Sequence, residues 1–391
     1  MKTIRFICLM LAVLMLFGAT IVSAEPTEEN AEAVVEAQKQ EGGLPCKSAL
    51  LMDAATGTVL YEQNADEALP PASVTKIMTL LLVMEAMDEG RFTWQDTVTA
   101  SAHAAAMGGS QVYLKEGETM TVEDMVKSVV ISSANDCAVA LAEFTAGSEE
   151  AFVTRMNERA AALGMVNTHF ENTNGLDDTA THHVTSARDI ALMSRALIRY
   201  DRILTFSSTW MDSIRDGAFG LTNTNRLVRF YPGCNGLKTG STSRAGFCVS
   251  ATAIRGDLSL ICVIMGAESR DVRNRTATKL FDMGFADYGA YAAEDGTVLL
   301  PTEGATVPDA SVHYAAFGAV VPKGSAGRVH VETVMPEKLT APLTAGQAVG
   351  ERIFYLDGKE IGRVPILVTE NVEKIGFSAL FKRILAQMFL T

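Results

Sequence analysis

Between residues 48 and 291 the apolar positions follow two spacings, one suited to strands and one to helices, with strand-like runs at both ends and helical stretches between. An apolar run over residues 72–87, preceded by Pro70 and Pro71 and closed by Gly90, predicts a helix with Ser73 in its first turn. Thr121 with Asp124, and Ser186 with Asp189, mark two further helix starts, because a hydroxyl at the cap position accepts from a backbone N–H one turn on. Residues 148–164 carry helical periodicity and end in a glycine stop. Residues 245–254 and 258–265 are β-rich and separated by Arg255-Gly256-Asp257, which predicts a hairpin. The pattern is that of a mixed α/β body.

After Glu294 the pattern changes. Short β-rich runs at 319–321, 327–331 and 352–356 alternate with Pro and Gly turns, and Asp357-Gly358 is a tight-hairpin signal. They predict a small all-β, sandwich-like domain over residues 295–368, with no catalytic set of its own, serving as a pedestal or a protein-binding module. The last run, 372–391, places Ile375, Phe377, Leu380, Phe381, Ile384, Leu385, Met388 and Phe389 at helical spacings, with Lys374, Lys382 and Arg383 elsewhere. Such a basic amphipathic helix suits an anionic membrane surface. Spanning is disfavoured by the adjacent charges Lys382 and Arg383, at about 2.5 kcal/mol or more each.

At the other end, Lys2 and Arg5 precede an apolar core that finishes in Val22-Ser23-Ala24, the form of a secretory signal with a small-residue cleavage site. Residues 25–45 hold six glutamates and one lysine and predict a flexible spacer. The expected plan is a signal peptide at 1–24, an acidic linker at 25–45, the α/β body at 46–292, the β domain at 295–368 and a membrane-anchor helix at 372–391. The chain is then exported and held peripherally at the outer face of the cytoplasmic membrane.

With 48% hydrophobic and 20% charged residues, the 391-residue chain is globular and too long for one ordinary domain. Loss of Lys2 and Arg5 with the signal takes the net charge from −13 to −15, which argues against nucleic acid as a partner. The remaining cysteines, Cys46, Cys137, Cys234, Cys248 and Cys262, are odd in number and lack Cys-x-x-Cys spacing, so no disulfide framework is indicated. The histidines show no His-Glu-x-x-His pattern, and neither metal nor other cofactor is expected.

The chemistry lies in three short motifs in order: Ser73-Val74-Thr75-Lys76, Ser133-Ala134-Asn135 and Lys238-Thr239-Gly240. Residues three apart on a helix share a face, so the Lys76 amine can reach the Ser73 hydroxyl. A serine hydroxyl needs a base to take its proton, and a lysine serves only when neutral; burial and a second cation, for which Lys238 is the candidate, push it that way. Ser133 is placed to relay a proton to a leaving amine, and Asn135 to hold either Lys76 or a substrate amide. Lys238 and Thr239, on a strand edge facing the cleft, suit a substrate carboxylate, and Gly240 lets backbone come close.

With its surrounding wording, Ala49–Gly57, Pro71–Thr79, Phe170–Leu176, Thr185–Asp189 and Asn235–Gly240, the chain resembles the serine-type D-alanyl-D-alanine carboxypeptidases, the low-molecular-weight penicillin-binding proteins, from about residue 45 to the C-terminus. The resemblance implies that Ser73 attacks the terminal D-Ala-D-Ala bond of a peptidoglycan stem pentapeptide, releases D-alanine through an acyl-enzyme, and is inhibited by β-lactams. It also implies an oxyanion hole from the N–H groups of Ser73 and Ser241, and a role for Arg273 in clamping the terminal carboxylate beside Arg270 and Arg275 in the same loop.

Two rivals differ in testable ways. A class A β-lactamase needs a glutamate followed four residues later by asparagine; Glu171 is followed at that distance by Gly175. A non-catalytic wall-binding scaffold has no need to keep Ser73, Lys76, Ser133, Lys238 and Thr239 together.

Overall fold

The computed structural model describes residues 43–178 and 180–388, so the expected signal peptide and most of the linker lie outside the described residues. The chain divides into two compact units: residues 43–291 with Val320–Gly327, and residues 292–319 with those from 328 onward.

The first unit is built on β1 (Ser48–Asp53), β2 (Val59–Gln63), β3 (Cys234–Thr242), β4 (Gly246–Arg255) and β5 (Leu258–Ala267), paired antiparallel in the order β2-β1-β5-β4-β3. The predicted hairpin is the β4–β5 pair, closed by the Arg255↔Leu258 turn. Side chains alternate across the sheet, as the strand period requires. Leu50, Met52, Ile261, Val263 and Met265 join the larger core, whereas Ala49, Leu51, Leu260, Cys262 and Ile264 face a second core.

Into the larger core run α1 (Lys76–Asp88), α2 (Asn135–Ala146), α3 (Glu149–Ala162) and α4 (Ala187–Leu197); α5 (Arg270–Asp287) packs in the second. Helix α1 is buried on nearly every face, including Lys76 and Thr79, which makes it a central helix and explains its apolar run. The hydroxyls of Thr121, Ser148 and Ser186 each accept from a backbone N–H three residues on, the caps that start three of the predicted helices.

The second unit holds β6 (Gly296–Glu303), β7 (Asp309–Tyr314), β8 (Val329–Val334), β9 (Leu339–Thr340), β10 (Ala348–Leu356) and β11 (Lys359–Val368) in one sheet of order β8-β10-β11-β7-β6-β9. Asp357 and Gly358, both at positive φ, make the tight β10–β11 turn.

Two expected boundaries move. Leu44, assigned to the flexible linker, is buried in the second core, and its N–H donates to Gln63 Oε1 at 2.7 Å. The tail expected as one helix from Val372 begins as extended chain: Val372 is buried and exchanges both backbone hydrogen bonds with Leu343, and the Ile375 N–H donates to the Gly304 carbonyl. The helix, α6, spans Phe377–Met388. Long-range pairing captures residues whose local spacing also reads as helical.

Candidate active site

Pro70 and Pro71 lead into a single 3₁₀ turn, Ala72–Thr75, that feeds α1. Ala72 sits at φ +49°, a left-handed conformation costly for a residue with a Cβ, and Ser73 follows it half-exposed. Lys76 Nζ lies 2.8 Å from Ser73 Oγ and donates to the Asn174 carbonyl at 2.7 Å. Lys76 is completely buried. That burial, and next the Lys238 charge, hold its amine well below the ordinary lysine range, with Asp136 partly opposing them. A neutral amine beside a serine hydroxyl is the arrangement a general base requires.

Helix geometry loosens to a π turn at Ser128–Ser132, and Ser133 follows at φ +65°. Turns of this kind and left-handed non-glycine residues concentrate where a side chain must be aimed. Ser133 Oγ accepts from Lys238 Nζ at 2.9 Å. Asn135 opens α2: its N–H donates to the Ser110 carbonyl at 2.7 Å and its Nδ2 to the Gly108 carbonyl at 2.7 Å. Its Oδ1 is buried and has no hydrogen-bond partner among the described residues. Lys76 is held by the Asn174 carbonyl, so of the two uses foreseen for Asn135 the orphan oxygen favours an amide N–H from a ligand.

Strand β3 is the sheet edge that faces these groups. Burial first, then Arg273, bring the Lys238 amine down to about 7. Thr239 Oγ1 donates to Thr224 Oγ1 at 2.7 Å, fixing its direction on the strand. At Gly240 a Cβ would come within 2.7 Å of the Ser73 nitrogen and 2.9 Å of the Val74 nitrogen, so glycine is what allows β3 to lie against the Ala72–Thr75 turn. Ser241 follows, exposed.

Arg270, Arg273 and Arg275, expected in a loop, stand on the first turns of α5, where Ser269 caps the helix. Only Arg273 of the three is buried. Its Nε and Nη2 donate to Asn274 Oδ1 and its Nη1 to the Cys248 carbonyl, with further N–H bonds left over. Burial and Arg270 lower it to about 10, so it remains a cation.

Sequence reasoning passed over three contributors. The Asn174 carbonyl is a backbone group; what delivers it is the segment Asn172–Leu176, where Asn172 Oδ1 accepts from the Asn174 and Gly175 N–H groups. Gly175, at φ +83°, has no room for a Cβ against the Ala72 carbonyl. Thr224 orients Thr239 as described. Asp136 gathers the Val112, Leu114 and Cys137 N–H groups and so fixes the loop beside Asn135. Cys137 itself is buried in the core. Glu171, the residue a β-lactamase reading would use, accepts instead from the His182 N–H at 3.0 Å and Thr181 Oγ1 at 3.4 Å. Among the described residues no three His, Cys, Asp or Glu side chains group as a metal site.

Comparison with known proteins agrees over most of the chain. Residues 34–269 match the family model for D-alanyl-D-alanine carboxypeptidase, and residues 315–374 that for the C-terminal domain of penicillin-binding protein 5. The D-alanyl-D-alanine carboxypeptidase DacF of Bacillus subtilis is 40% identical over 352 residues, covering 86% of this chain and 88% of that protein. DacC of Escherichia coli is 36% identical over 364 residues, covering 90% and 89%. The crystal structure of penicillin-binding protein 5 from Haemophilus influenzae matches with a TM-score of 0.76 at 28% identity, covering 86% of this chain and 100% of that one. A second match, penicillin-binding protein D2 of Listeria monocytogenes in its ampicillin-bound form, has a TM-score of 0.58 at 32% identity over 63% of this chain and 100% of that one. A serine beside a buried lysine, a second serine beside a second lysine, and family matches over residues 34–269 and 315–374 converge: the chain belongs to the D-alanyl-D-alanine carboxypeptidase family.

Proposed function

We propose that this D-Ala-D-Ala carboxypeptidase removes the terminal D-alanine of peptidoglycan stem pentapeptides with Ser73 as nucleophile and Lys76 as its base. The observation that carries the assignment is the buried Lys76 amine lying between Ser73 Oγ and the Asn174 carbonyl. One N–H is engaged by the carbonyl, which leaves the lone pair of the neutral amine for the Ser73 proton.

In the acylation step Ser73 Oγ attacks the carbonyl carbon of the penultimate D-alanine while Lys76 takes the hydroxyl proton. The oxyanion accepts from the N–H groups of Ser73 and Ser241; removing one such donor elsewhere costs roughly 3 to 4 kcal/mol. When the C–N bond breaks, the Ser133 hydroxyl gives a proton to the departing amine and regains one from the Lys76 ammonium, which returns Lys76 to its neutral form, while Lys238 stands behind Ser133. Asn135 Oδ1 accepts from a substrate amide, and Lys238, Thr239 and Arg273 hold the terminal carboxylate. Water then attacks the ester while the neutral Lys76 takes its proton and passes it to Ser73 Oγ as the ester C–O bond breaks, freeing the shortened peptide and Ser73. A β-lactam follows the first half of this path and stays bound as the acyl-enzyme. The direct test is release of free D-alanine from a pentapeptide ending in D-Ala-D-Ala, beside covalent capture of a labelled penicillin; rapid turnover of the penicillin instead would support the β-lactamase reading, and no adduct the scaffold.

Thr239→Ala and Arg273→Ala are expected to lower kcat/KM on substrates with a free terminal carboxylate about ten- to a hundredfold, since a hydrogen bond to a charged group is worth roughly 1.5 to 3 kcal/mol. Amidated analogues should lose far less. Steady-state kinetics on the paired substrates checks this, and equal losses on both would remove Arg273 from the clamp.

The chain is proposed to be exported and held peripherally at the outer face of the cytoplasmic membrane by α6. Phe377, Leu380, Phe381, Ile384 and Met388 are all exposed on this short helix. Among the described residues no helix is long and apolar enough to cross a membrane. A chain ending at Gly376 keeps Val372 and Ile375 in the β unit and should no longer float with anionic liposomes, while hydrolysing a soluble pentapeptide at the full-length rate. Salt should weaken full-length binding only in part, because screening reduces the attraction of the cations and leaves apolar insertion. Flotation of both forms at low and high salt decides it; a truncated form that still floats places the anchor elsewhere.

A further inference from the structure

We propose that His183 is a positioning residue for acyl transfer, holding the strained turn that presents Ser73 through a hydrogen-bonded relay over Thr75.

His183 is buried, and both ring nitrogens are engaged. Nδ1 accepts from the Glu171 N–H at 3.0 Å. A nitrogen facing a backbone donor carries no proton, so in the neutral ring the hydrogen resides on Nε2. Nε2 lies 2.7 Å from Thr75 Oγ1 and therefore donates to it. Thr75 Oγ1 in turn donates to the Ala72 carbonyl at 2.8 Å. Each step has one available direction, and the chain of donors runs from histidine to the carbonyl that precedes the nucleophile. Burial, the dominant influence, holds the imidazole neutral with its pKa lowered to about 4, although Glu171 and Asp177 pull the other way.

The end point of the relay explains its use. Ala72 is held at φ +49°, and a residue in that region persists only where its surroundings over-determine it. The Ala72 carbonyl is fixed by Thr75 on one side and has Gly175 packed against it on the other. Ser73 is the next residue, and its nitrogen abuts Gly240. The same histidine fastens Glu171, the residue just before the Asn172–Leu176 segment whose Asn174 carbonyl engages Lys76. His183 thus links both supports of the reacting pair, the turn that aims Ser73 and the segment that orients Lys76, while its hydrogen bonds run to Thr75 and Glu171 and to neither member of the pair. Thr75, between Ser73 and Lys76 in the motif, is the hydroxyl that makes the link.

The inference rests on Ser73 and Lys76 acting as proposed above, and the experiment separates the two. Second-order acylation by a fluorescent penicillin is measured on full-length Thr75→Val, Thr75→Ser, His183→Phe and the Thr75→Val/His183→Phe double variant, with Ser73→Ala as control and thermal melts alongside. Valine keeps the branched shape and removes the hydroxyl; serine restores it. Thr75→Val and His183→Phe should each acylate about 10- to 100-fold more slowly well below their melting transitions, the loss that small misplacement of a reacting group produces. Thr75→Ser should recover most of the rate, and the double variant should be no slower than the worse single, because both changes cut one relay. A role confined to stability gives lower melting temperatures with wild-type acylation of the folded protein, and that result overturns the proposal. So do equal losses for valine and serine, or additive losses in the double variant. If His183→Phe does not fold, the Thr75 pair decides alone. Labelling that survives Ser73→Ala refutes the nucleophile assignment; silence there with wild-type labelling of Thr75→Val refutes the relay alone.

Discussion

Ser73→Ala is expected to release no measurable D-alanine from a D-Ala-D-Ala pentapeptide and to take up no labelled penicillin, while melting within about 1 kcal/mol of the wild-type stability. Both losses follow from one hydroxyl. The other hydroxyls nearby are committed elsewhere: Ser133 Oγ accepts from Lys238, and Thr75 Oγ1 is engaged by His183 and Ala72. None of them stands beside the Lys76 amine and the Gly240 backbone approach together. Loss of the nucleophile in a serine hydrolase costs on the order of 10⁶ in kcat, so the residual rate should fall below detection. The fold should survive because Ser73 is half-exposed, and Lys76 keeps the Asn174 carbonyl when Oγ is gone. Mass spectrometry of the penicillin-treated protein provides the check, with a peptide map to locate any adduct. An adduct on the variant would move the nucleophile to another residue.

How far the site could be read from the sequence depended on the range of the interaction that makes it. Ser73 and Lys76 were legible because three residues on a helix bring side chains onto one face, which is local geometry. The caps at Thr121 and Ser186, the helix over 148–164 and the Asp357-Gly358 turn were legible for the same reason. Arg273 was only partly so. Taken as a loop, the 270–275 segment offers three equivalent arginines. Taken as a helix capped by Ser269, it places Arg273 on the face of Thr276, Ala277 and Leu280, all buried. The helical period was the available signal. The Asn174 carbonyl was not legible at all, since a backbone oxygen carries no residue identity. It is found only after the segment folds against the Ala72 turn. Leu44, Val372 and Ile375 failed for a related reason. Their partners lie far along the chain, and a short window sees only an acidic spacer or a helical spacing.

Lys76→Arg is expected to slow acylation by about 10² to 10⁴, the usual contribution of general-base catalysis, although it keeps the positive charge. A guanidinium does not give up its proton in a protein, so the substituted side chain cannot receive one from Ser73. The wild-type amine differs because burial and Lys238 lower its pKa, which stabilises the neutral form. The sign of the pH dependence follows. The active form is deprotonated, so wild-type acylation should hold above the lowered pKa and fall as the pH drops through it; the arginine variant, with nothing to deprotonate, should lack that limb. Arginine is also larger than the fully buried site allows without movement. Lys76→Gln, neutral and shorter, therefore serves as the companion variant, and circular dichroism reports whether each is folded. Stopped-flow acylation of the three proteins across a pH series tests both the magnitude and the shape. A folded Lys76→Arg enzyme that keeps more than about a tenth of the wild-type rate would transfer the base role away from Lys76, since that exceeds what loss of a general base leaves. The other buried lysine among the described residues is Lys238, already bonded to Ser133 Oγ at 2.9 Å and lowered to about 7.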